Sequence, residues 1–226
     1  MYKTEVHMHT YPVSSCSKLT PAEQVRLFKE AGYDTVFVSD HFSPHHFKKL
    51  GEHLSFAEKV DKLCDAYLEA RAEGERIGLT VLFSVELSFR KNHYLLYGAT
   101  REFLKLREDI FDMPADELFG HLRSHGITII QAHPHRMKNE NSSPNPDYVD
   151  ALELNFCIRK ENNNEMTLQL ARECNKPLTV GSDCHRPEDV GVSTTLSEEK
   201  ITSVEQYLDL VFARKLIFAV GVRSNG

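Results

Sequence analysis

The chain has 226 residues, 41% of them apolar, which is enough for one sizeable core, and we predict a single domain over 1–226. A formal charge of −6 excludes a basic surface over the whole molecule, so a nucleic-acid partner is disfavoured although a local basic patch stays open. No apolar segment reaches the roughly 20 residues of a membrane helix, so no membrane partner is expected. The five scattered cysteines and a first segment without a signal-like apolar core favour a cytoplasmic protein.

Short apolar segments rich in β-branched and aromatic residues predict eight strands. They cover residues 3–8, 35–39, 80–86, 94–97, 127–131, 151–156, 178–180 and 216–220. Most are apolar along their whole length, a pattern typical of parallel strands buried on both faces.

Helical patterns lie between most of these strands. They cover residues 21–31, 56–77, 113–125, 164–174 and 204–214, and the polar segment 138–147 is predicted to be one surface loop. The first helix begins with the capping box Thr20-Pro21-Ala22-Glu23 and ends before Gly32. Alternating strands and helices predict βαβ units and an α/β fold.

Residue types that bind metals follow the carboxyl ends of five predicted strands. They are His7 with His9, Asp40 with His41, Glu86, His133, and Asp183 with His185. In α/β barrels this end carries the catalytic site, and alternate residues of one strand can face the same ion. Imidazole and carboxylate together suit zinc, manganese or iron, so these strand ends predict a metal centre.

Other histidines have less informative positions. His93 stands at the start of a predicted strand instead of its end. His45, His46 and His53 are predicted to lie in a solvated loop, and the alternative is that one of them lines the mouth of the site. His121 and His125 are spaced as on one exposed helix face, and we expect no metal there.

Five segments carry a resemblance to a known family. They read Val-His-Met-His-Thr at 6–10, Val-Ser-Asp-His at 38–41, Val-Glu-Leu at 85–87, Ala-His-Pro-His-Arg at 132–136 and Gly-Ser-Asp-Cys-His at 181–185. In these segments and their order the chain resembles the polymerase and histidinol phosphatase (PHP) superfamily, as a small stand-alone PHP domain. The resemblance implies a distorted (β/α)7 TIM-like barrel with parallel strands. It also implies two or three divalent ions (Zn, Mn or Fe) that clamp a phosphate ester and activate water for its hydrolysis.

Carried over by motif, the resemblance also implies a ligand set. The first ion would be held by His7, His9, Glu86 and Asp183, the second by Glu86, His93 and His133, and a third by His41 and His185. The loop 11–19 lacks the Asp or His that the family usually places there. Cys16 in this loop either completes the third site as a thiolate or is a buried small residue.

Two further roles follow from the motifs. Asp40 either orients a ligating imidazole or protonates the leaving group, as His41 or His185 also could. Arg136 follows the His133 segment and is predicted to grip the substrate phosphate, with Arg186 as a second candidate; the alternative for both is an exposed loop cation.

The chain is therefore predicted to hydrolyse a small phosphomonoester, as histidinol phosphatases do, because no domain-sized segment is left outside the barrel. One alternative is a nucleotide or oligonucleotide phosphoesterase. The others are a metal-dependent amidohydrolase or deacetylase and a binding module without turnover. The sequence does not indicate the oligomeric state.

Overall fold

The computed structural model describes residues 1–136 and 143–220, so residues 138–142 of the predicted polar loop lie outside the described part. The strands are β1 (Tyr2–Met8), β2 (Thr35–Val38), β3 (His41–Phe42), β4 (Thr80–Phe89), β5 (Asn92–Tyr97), β6 (Thr128–Ala132), β7 (Ala151–Asn155), β8 (Leu178–Gly181), β9 (Ser193–Ser197) and β10 (Ile217–Val220). The helices are α1 (Pro21–Glu30), α2 (Pro44–Leu50), α3 (Phe56–Ile77), α4 (Arg101–Lys105), α5 (Ala115–Ser124), α6 (Asn164–Glu173) and α7 (Val204–Phe212).

All of these strands belong to one sheet, which curls into a nearly closed barrel. Its order is β10-β9-β1-β2-β4-β5-β6-β7-β8, and the short β3 pairs with β4. Cys184, just after β8, bridges Met8 at the end of β1; its amide donates to the carbonyl of His7 (3.1 Å), and its carbonyl accepts from the amide of His9 (2.9 Å). These bonds close the barrel at the carboxyl end of β1, and the predicted TIM-like α/β barrel is confirmed.

Three strands do not follow the expected parallel direction. β5 is antiparallel to both β4 and β6, and β9 and β10 are antiparallel to their neighbours. β4 and β5 are joined only by Arg90 and Lys91, which both have positive φ (45° and 66°). A two-residue turn of this kind reverses the chain, whereas a parallel partner needs a crossover of a dozen or more residues. The expectation of parallel strands was therefore wrong for this hairpin.

The helix ends agree with the capping signals in the sequence. α1 starts with the predicted capping box at Thr20, and α3 ends at Gly78, whose backbone is left-handed. α2 and α4 were not predicted. α2 replaces the expected solvated loop because Ser43 caps it and Pro44 occupies its first turn.

The barrel interior is not wholly apolar at the end where the strands stop. Glu5, His7 and His9 of the β1 segment are buried, and so are Glu86 of β4 and Glu153 of β7. Buried charge is costly unless it is paired or binds a cation, so these residues mark this end of the barrel as a site. Within the described ranges, no helix is long and apolar enough to cross a membrane.

Candidate metal centre

Glu86 is the central carboxylate of the site. Its side chain is fully buried, and five imidazoles lie around it. The distances from its carboxylate oxygens to ring nitrogens are 2.7 Å for His41, 3.1 Å for His93, 3.1 Å for His133, 3.2 Å for His7 and 3.7 Å for His9. The structure thus brings together ligand candidates from five separate segments of the chain.

Asp183 forms a second carboxylate beside the same imidazoles. Its Oδ1 lies 3.1 Å from Nε2 of His9, 3.4 Å from Nδ1 of His185 and 3.6 Å from Nε2 of His7. His7 and His9 therefore stand between Glu86 and Asp183, as ligands of one shared ion would.

The antiparallel hairpin explains how His93 reaches this cluster. His93 lies near the start of β5, opposite Ser88 of β4 and Ala132 of β6. Because β5 runs against its neighbours, the start of β5 lies at the end of the barrel where β4 and β6 finish. The odd position of His93 in the sequence is thus a consequence of strand direction.

The donor atoms fit a divalent cation. Oε2 of Glu86 and Nδ1 of His41 and of His93 are buried without an aligned hydrogen bond, although His41 Nδ1 is only 2.7 Å from the carboxylate. Buried lone pairs that converge in this way cost free energy unless a proton or a cation sits between them. Within each of three groups, the possible ligand atoms lie within 4.8 Å of one another. The groups are His7-His9-Asp183, His41-Glu86-His93 and His9-His41-His185. Imidazole nitrogens and carboxylate oxygens of this kind suit Zn²⁺, Mn²⁺ or Fe²⁺.

The electrostatics keep the carboxylates charged. Burial opposes the charge on Glu86, but the surrounding imidazoles hold its pKa well below the usual value. The pKa of Asp183 is held low in the same way, against burial, chiefly by the Arg136 guanidinium. Burial lowers the pKa of His133 to about 4, so its imidazole is neutral. The two carboxylates and His133 are thus in the protonation states that bind cations, whereas Glu86, against burial, raises the pKa of His41 to about 10, so an ion bound there would displace a proton.

Two candidate ligands sit on unusual backbone. His133 has φ 34° and Asp183 has φ 52°, both in the left-handed region. Non-glycine residues enter this region at an energetic cost, and such residues cluster at functional sites. Here the strained backbone brings the His133 ring to Glu86 and the Asp183 carboxylate to His7 and His9.

Cys16 lies at the edge of the cluster and is not a buried core residue. Its thiol is 3.1 Å from Nε2 of His185 and 3.6 Å from Nε2 of His46. Burial opposes ionisation of the thiol, but contacts with His185, His41 and His46 lower its pKa to about 4. The prediction that His46 lies in a solvated loop was wrong, because α2 turns its ring towards Cys16; His45 and His53 are exposed as expected.

Asp40 does not line the pocket but supports the ligands from behind. Its carboxylate accepts hydrogen bonds from the Thr10 amide (2.6 Å) and the Ser14 hydroxyl (2.7 Å). Ser14 Oγ in turn accepts from Nδ1 of His9 (3.2 Å) and from the amide of His41 (3.0 Å). Through Ser14, Asp40 fixes the tautomer of His9 that leaves Nε2 free for an ion.

Glu153 was missed by the sequence analysis. Its Oε1 accepts from Nδ1 of His7 (2.8 Å), and its Oε2 accepts from the His133 amide (3.1 Å) and the Asn155 side chain (2.9 Å). The sequence did contain an indication of its role, because Glu153 is an acidic residue in the middle of the otherwise apolar strand β7. Glu5 has the same signature in β1; it accepts from three backbone amides, and burial raises its pKa to about 7.

Gly181 is required where β8 passes this carboxylate. A Cβ at Gly181 would overlap Oε1 of Glu153 and lie 2.7 Å from Cβ of His7. We expect Gly181→Ala to lower the free energy of unfolding by about 1–3 kcal/mol, as overpacked cores do. At roughly 2–4 °C per kcal/mol, differential scanning fluorimetry resolves this loss as a lower Tm.

The matched control is Gly120→Ala on α5. No atom lies within 4 Å of a Cβ at Gly120, so this variant should keep or slightly raise the Tm. Equal Tm values for the two variants would contradict a close contact at Gly181.

A pocket of about 540 Å³ opens beside the cluster. His41, His93, Asp183 and His185 form one part of its wall, and Arg136, Arg159, Lys160 and Glu161 form another. Arg136 donates to Oδ2 of Asp183 (2.6 Å) and to Oδ1 of Asn155 (3.2 Å). Arg186, the second arginine candidate, instead lies 3.9 Å from Glu188.

Comparisons with known proteins agree with this architecture. The PHP-associated family model matches residues 161–215, which include Asp183 and His185. A comparison with curated proteins found no match.

Solved structures show the same fold at low sequence identity. One is a two-domain protein from Bacteroides vulgatus that contains a predicted PHP-like metal-dependent phosphoesterase (TM-score 0.67, 16% identity, 97% of this chain covered); this chain spans 64% of its length. PsfC from Pseudomonas syringae matches with a TM-score of 0.68 and 17% identity over 99% of this chain and 93% of PsfC. An amidohydrolase from Chromobacterium violaceum, with bound sulfate and no metal, matches with a TM-score of 0.56 and 14% identity over 99% of both chains.

At these identities the structures establish the fold alone. The family match covers the last ligand segment, and the other four segments occupy the matching end of the same barrel. In its fold and in the segment matched by the family model, the chain is similar to proteins of the PHP superfamily.

Proposed function

We propose that the chain is a metal-dependent phosphoesterase that hydrolyses a small phosphomonoester. The observation that carries this proposal is a buried carboxylate among five imidazoles beside a pocket with cationic walls. The relative from Bacteroides vulgatus, described as containing a PHP-like metal-dependent phosphoesterase, supports it.

We assign the ions as the motifs imply. His7, His9, Glu86 and Asp183 would hold the first, and Glu86, His93 and His133 the second. Nδ1 of His93 and Nε2 of His133 both lie 3.1 Å from Oε1 of Glu86, which supports a bridging role for this carboxylate. His41 and His185, with Cys16, would hold the third.

Bound divalent ions neutralise phosphate charge and bring the pKa of a water ligand near 7, so no separate strong base is needed. The protein orients the ligands. Glu153 accepts the Nδ1 proton of His7, and the Asp40–Ser14 pair does the same for His9, so both rings present Nε2 to the site. The cationic wall, Arg136, Arg159 and Lys160, would bind the phosphate oxygens.

Protonation of the leaving group needs a residue that reaches the pocket. His41 and His185 line it, whereas both oxygens of Asp40 are engaged by Thr10 and Ser14. We therefore propose a positioning role for Asp40.

Amide hydrolysis is the second candidate, because the relative from Chromobacterium violaceum is named an amidohydrolase. The deciding experiment compares p-nitrophenyl phosphate with N-acetylated amino acids, each with manganese or zinc and after chelation. We expect metal-dependent release of nitrophenol and no deacetylation. Mononucleotides in the same assay separate a small-metabolite phosphatase from a nucleotidase. Activity on none of these substrates, in protein with its full metal content, would indicate a binding module.

Arg136 is predicted to contribute to phosphate binding. Arg136→Ala should reduce kcat/KM about ten- to a hundredfold, which corresponds to about 1.5–3 kcal/mol for a charge-assisted pair. Arg136→Lys keeps the charge and loses the two-pronged geometry, so it should rescue activity only in part.

Because Arg136 also binds Asp183, the metal content of each variant has to be measured together with its kinetics. Arg186→Ala is the matched control and should behave as the wild type. If both Arg136 variants keep wild-type kinetics and metals, Arg136 does not contact substrate.

A further inference from the structure

We propose that Cys16, His41, His46 and His185 form a complete four-donor zinc site, so that the third ion is a tightly held structural Zn²⁺. The inclusion of His46 adds a ligand outside the five motif segments. This inference deepens the proposed function by changing the role of its third ion.

The distances from the Cys16 thiol to two imidazoles are close to those of a tetrahedral zinc site. With Zn–S near 2.3 Å and Zn–N near 2.0–2.1 Å, a tetrahedral ion holds sulfur and nitrogen roughly 3.6 Å apart. Sγ of Cys16 is 3.6 Å from Nε2 of His46 and 3.1 Å from Nε2 of His185. The donors of Cys16, His41 and His46 all lie within 4.8 Å of one another.

Two of these rings are already held in the orientation that a ligand needs. Nδ1 of His46 lies 2.9 Å from Oγ of Ser43, the residue that caps α2. Nδ1 of His185 donates to the backbone carbonyl of Asp183 (2.8 Å). The carbonyl can only accept, so the proton of His185 is fixed on Nδ1, and the Ser43 hydroxyl can accept the Nδ1 proton of His46 in the same way. In both rings Nε2 lies on the side of the thiol. Hydrogen bonds to the far ring nitrogen are a regular feature of histidines that bind zinc.

The third site contains a soft thiolate donor, which the first and second sites lack. Glu86, Asp183 and the imidazoles around them offer only oxygen and nitrogen, which also suit manganese. A thiolate favours Zn²⁺ over Mn²⁺, so the third site should keep zinc when manganese fills the others.

Four protein donors also leave no open position for water, which is the hallmark of structural zinc sites. The ion would tie together the loop after β1, β3, α2 and the segment after β8. It follows that His41 and His185, once they bind zinc, are not free to protonate the leaving group.

Cobalt substitution tests the site without any turnover. Metal-free protein reloaded with Co²⁺ should show a near-ultraviolet thiolate-to-cobalt charge-transfer band and the intense visible bands of four-coordinate cobalt. Cys16→Ser should abolish the charge-transfer band. His46→Ala should weaken the visible bands and lower the zinc retained against a chelator by about one ion per chain. His45→Ala, the exposed neighbour on α2, is the matched control and should change neither.

Circular dichroism of each variant verifies that the barrel has folded. Absence of the charge-transfer band in folded, cobalt-loaded wild type would overturn the proposal. An unchanged His46→Ala spectrum, with unchanged zinc retention, would overturn the four-donor site. Because these readings need no substrate, a failed phosphatase assay does not affect them.

Discussion

Replacing Glu86 with glutamine should abolish turnover while the barrel stays folded. The carboxylate lies within 3.2 Å of ring nitrogens of His7, His41, His93 and His133, and in the proposed function it is a ligand of both the first and the second ion. An amide keeps the size of the side chain but removes the negative charge that both ions need. We expect a fall in kcat of at least about a thousandfold, which corresponds to about 4 kcal/mol.

The measurement is kcat on p-nitrophenyl phosphate together with metal content by elemental analysis. Glu86→Gln should lose part of its metal, whereas Glu75→Gln, on the exposed face of α3, should keep wild-type values. Near-normal activity of Glu86→Gln would mean that another residue bridges the ions.

The purified protein should carry at least two transition-metal ions per chain, and their removal should destabilise it. Chelation leaves buried carboxylates and imidazoles facing one another without a cation, which costs free energy. An ion present at a thousandfold its Kd stabilises a folded protein by about 4 kcal/mol. At roughly 2–4 °C per kcal/mol, the chelated protein should melt about 8–16 °C lower.

Elemental analysis and scanning fluorimetry with and without chelator measure both effects. Readdition of zinc or manganese should restore the Tm, and Glu86→Gln should show a smaller shift because it binds less metal. Less than one ion per chain after loading would exclude the proposed centre.

Strand direction illustrates the limit of sequence reasoning in this fold. Strands were recognised from apolar segments, but apolar character does not report whether a strand runs parallel or antiparallel to its neighbour. The two residues between β4 and β5 held that information, because so short a turn permits only a hairpin. His93 was therefore assigned by family resemblance alone, although the hairpin gives the physical reason for its place.

Residues outside the motif segments were harder to find than the motif residues. His7, His9 and Glu86 are recognisable because ligand types recur at the ends of successive strands. Glu153 and His46 do not follow this pattern of strand ends. Glu153 binds the ring nitrogen of His7 that faces away from the site, and His46 lies on α2, a helix that only local capping signals indicate. Their roles depend on which side chains meet across the barrel.

The sequence by itself determined the α/β class and the residue types gathered at the strand ends, because strand periodicity and ligand type are local properties that can be read without knowledge of contacts. The barrel was implied by the family resemblance. Only the tertiary structure decided how those ligands are held. It engages Arg136 with Asp183, places Asp40 behind Ser14 and turns His46 towards Cys16. The residues in these pairs are 26 to 47 positions apart in the sequence. Their side chains meet only because the barrel closes, and no local sequence pattern contains that information.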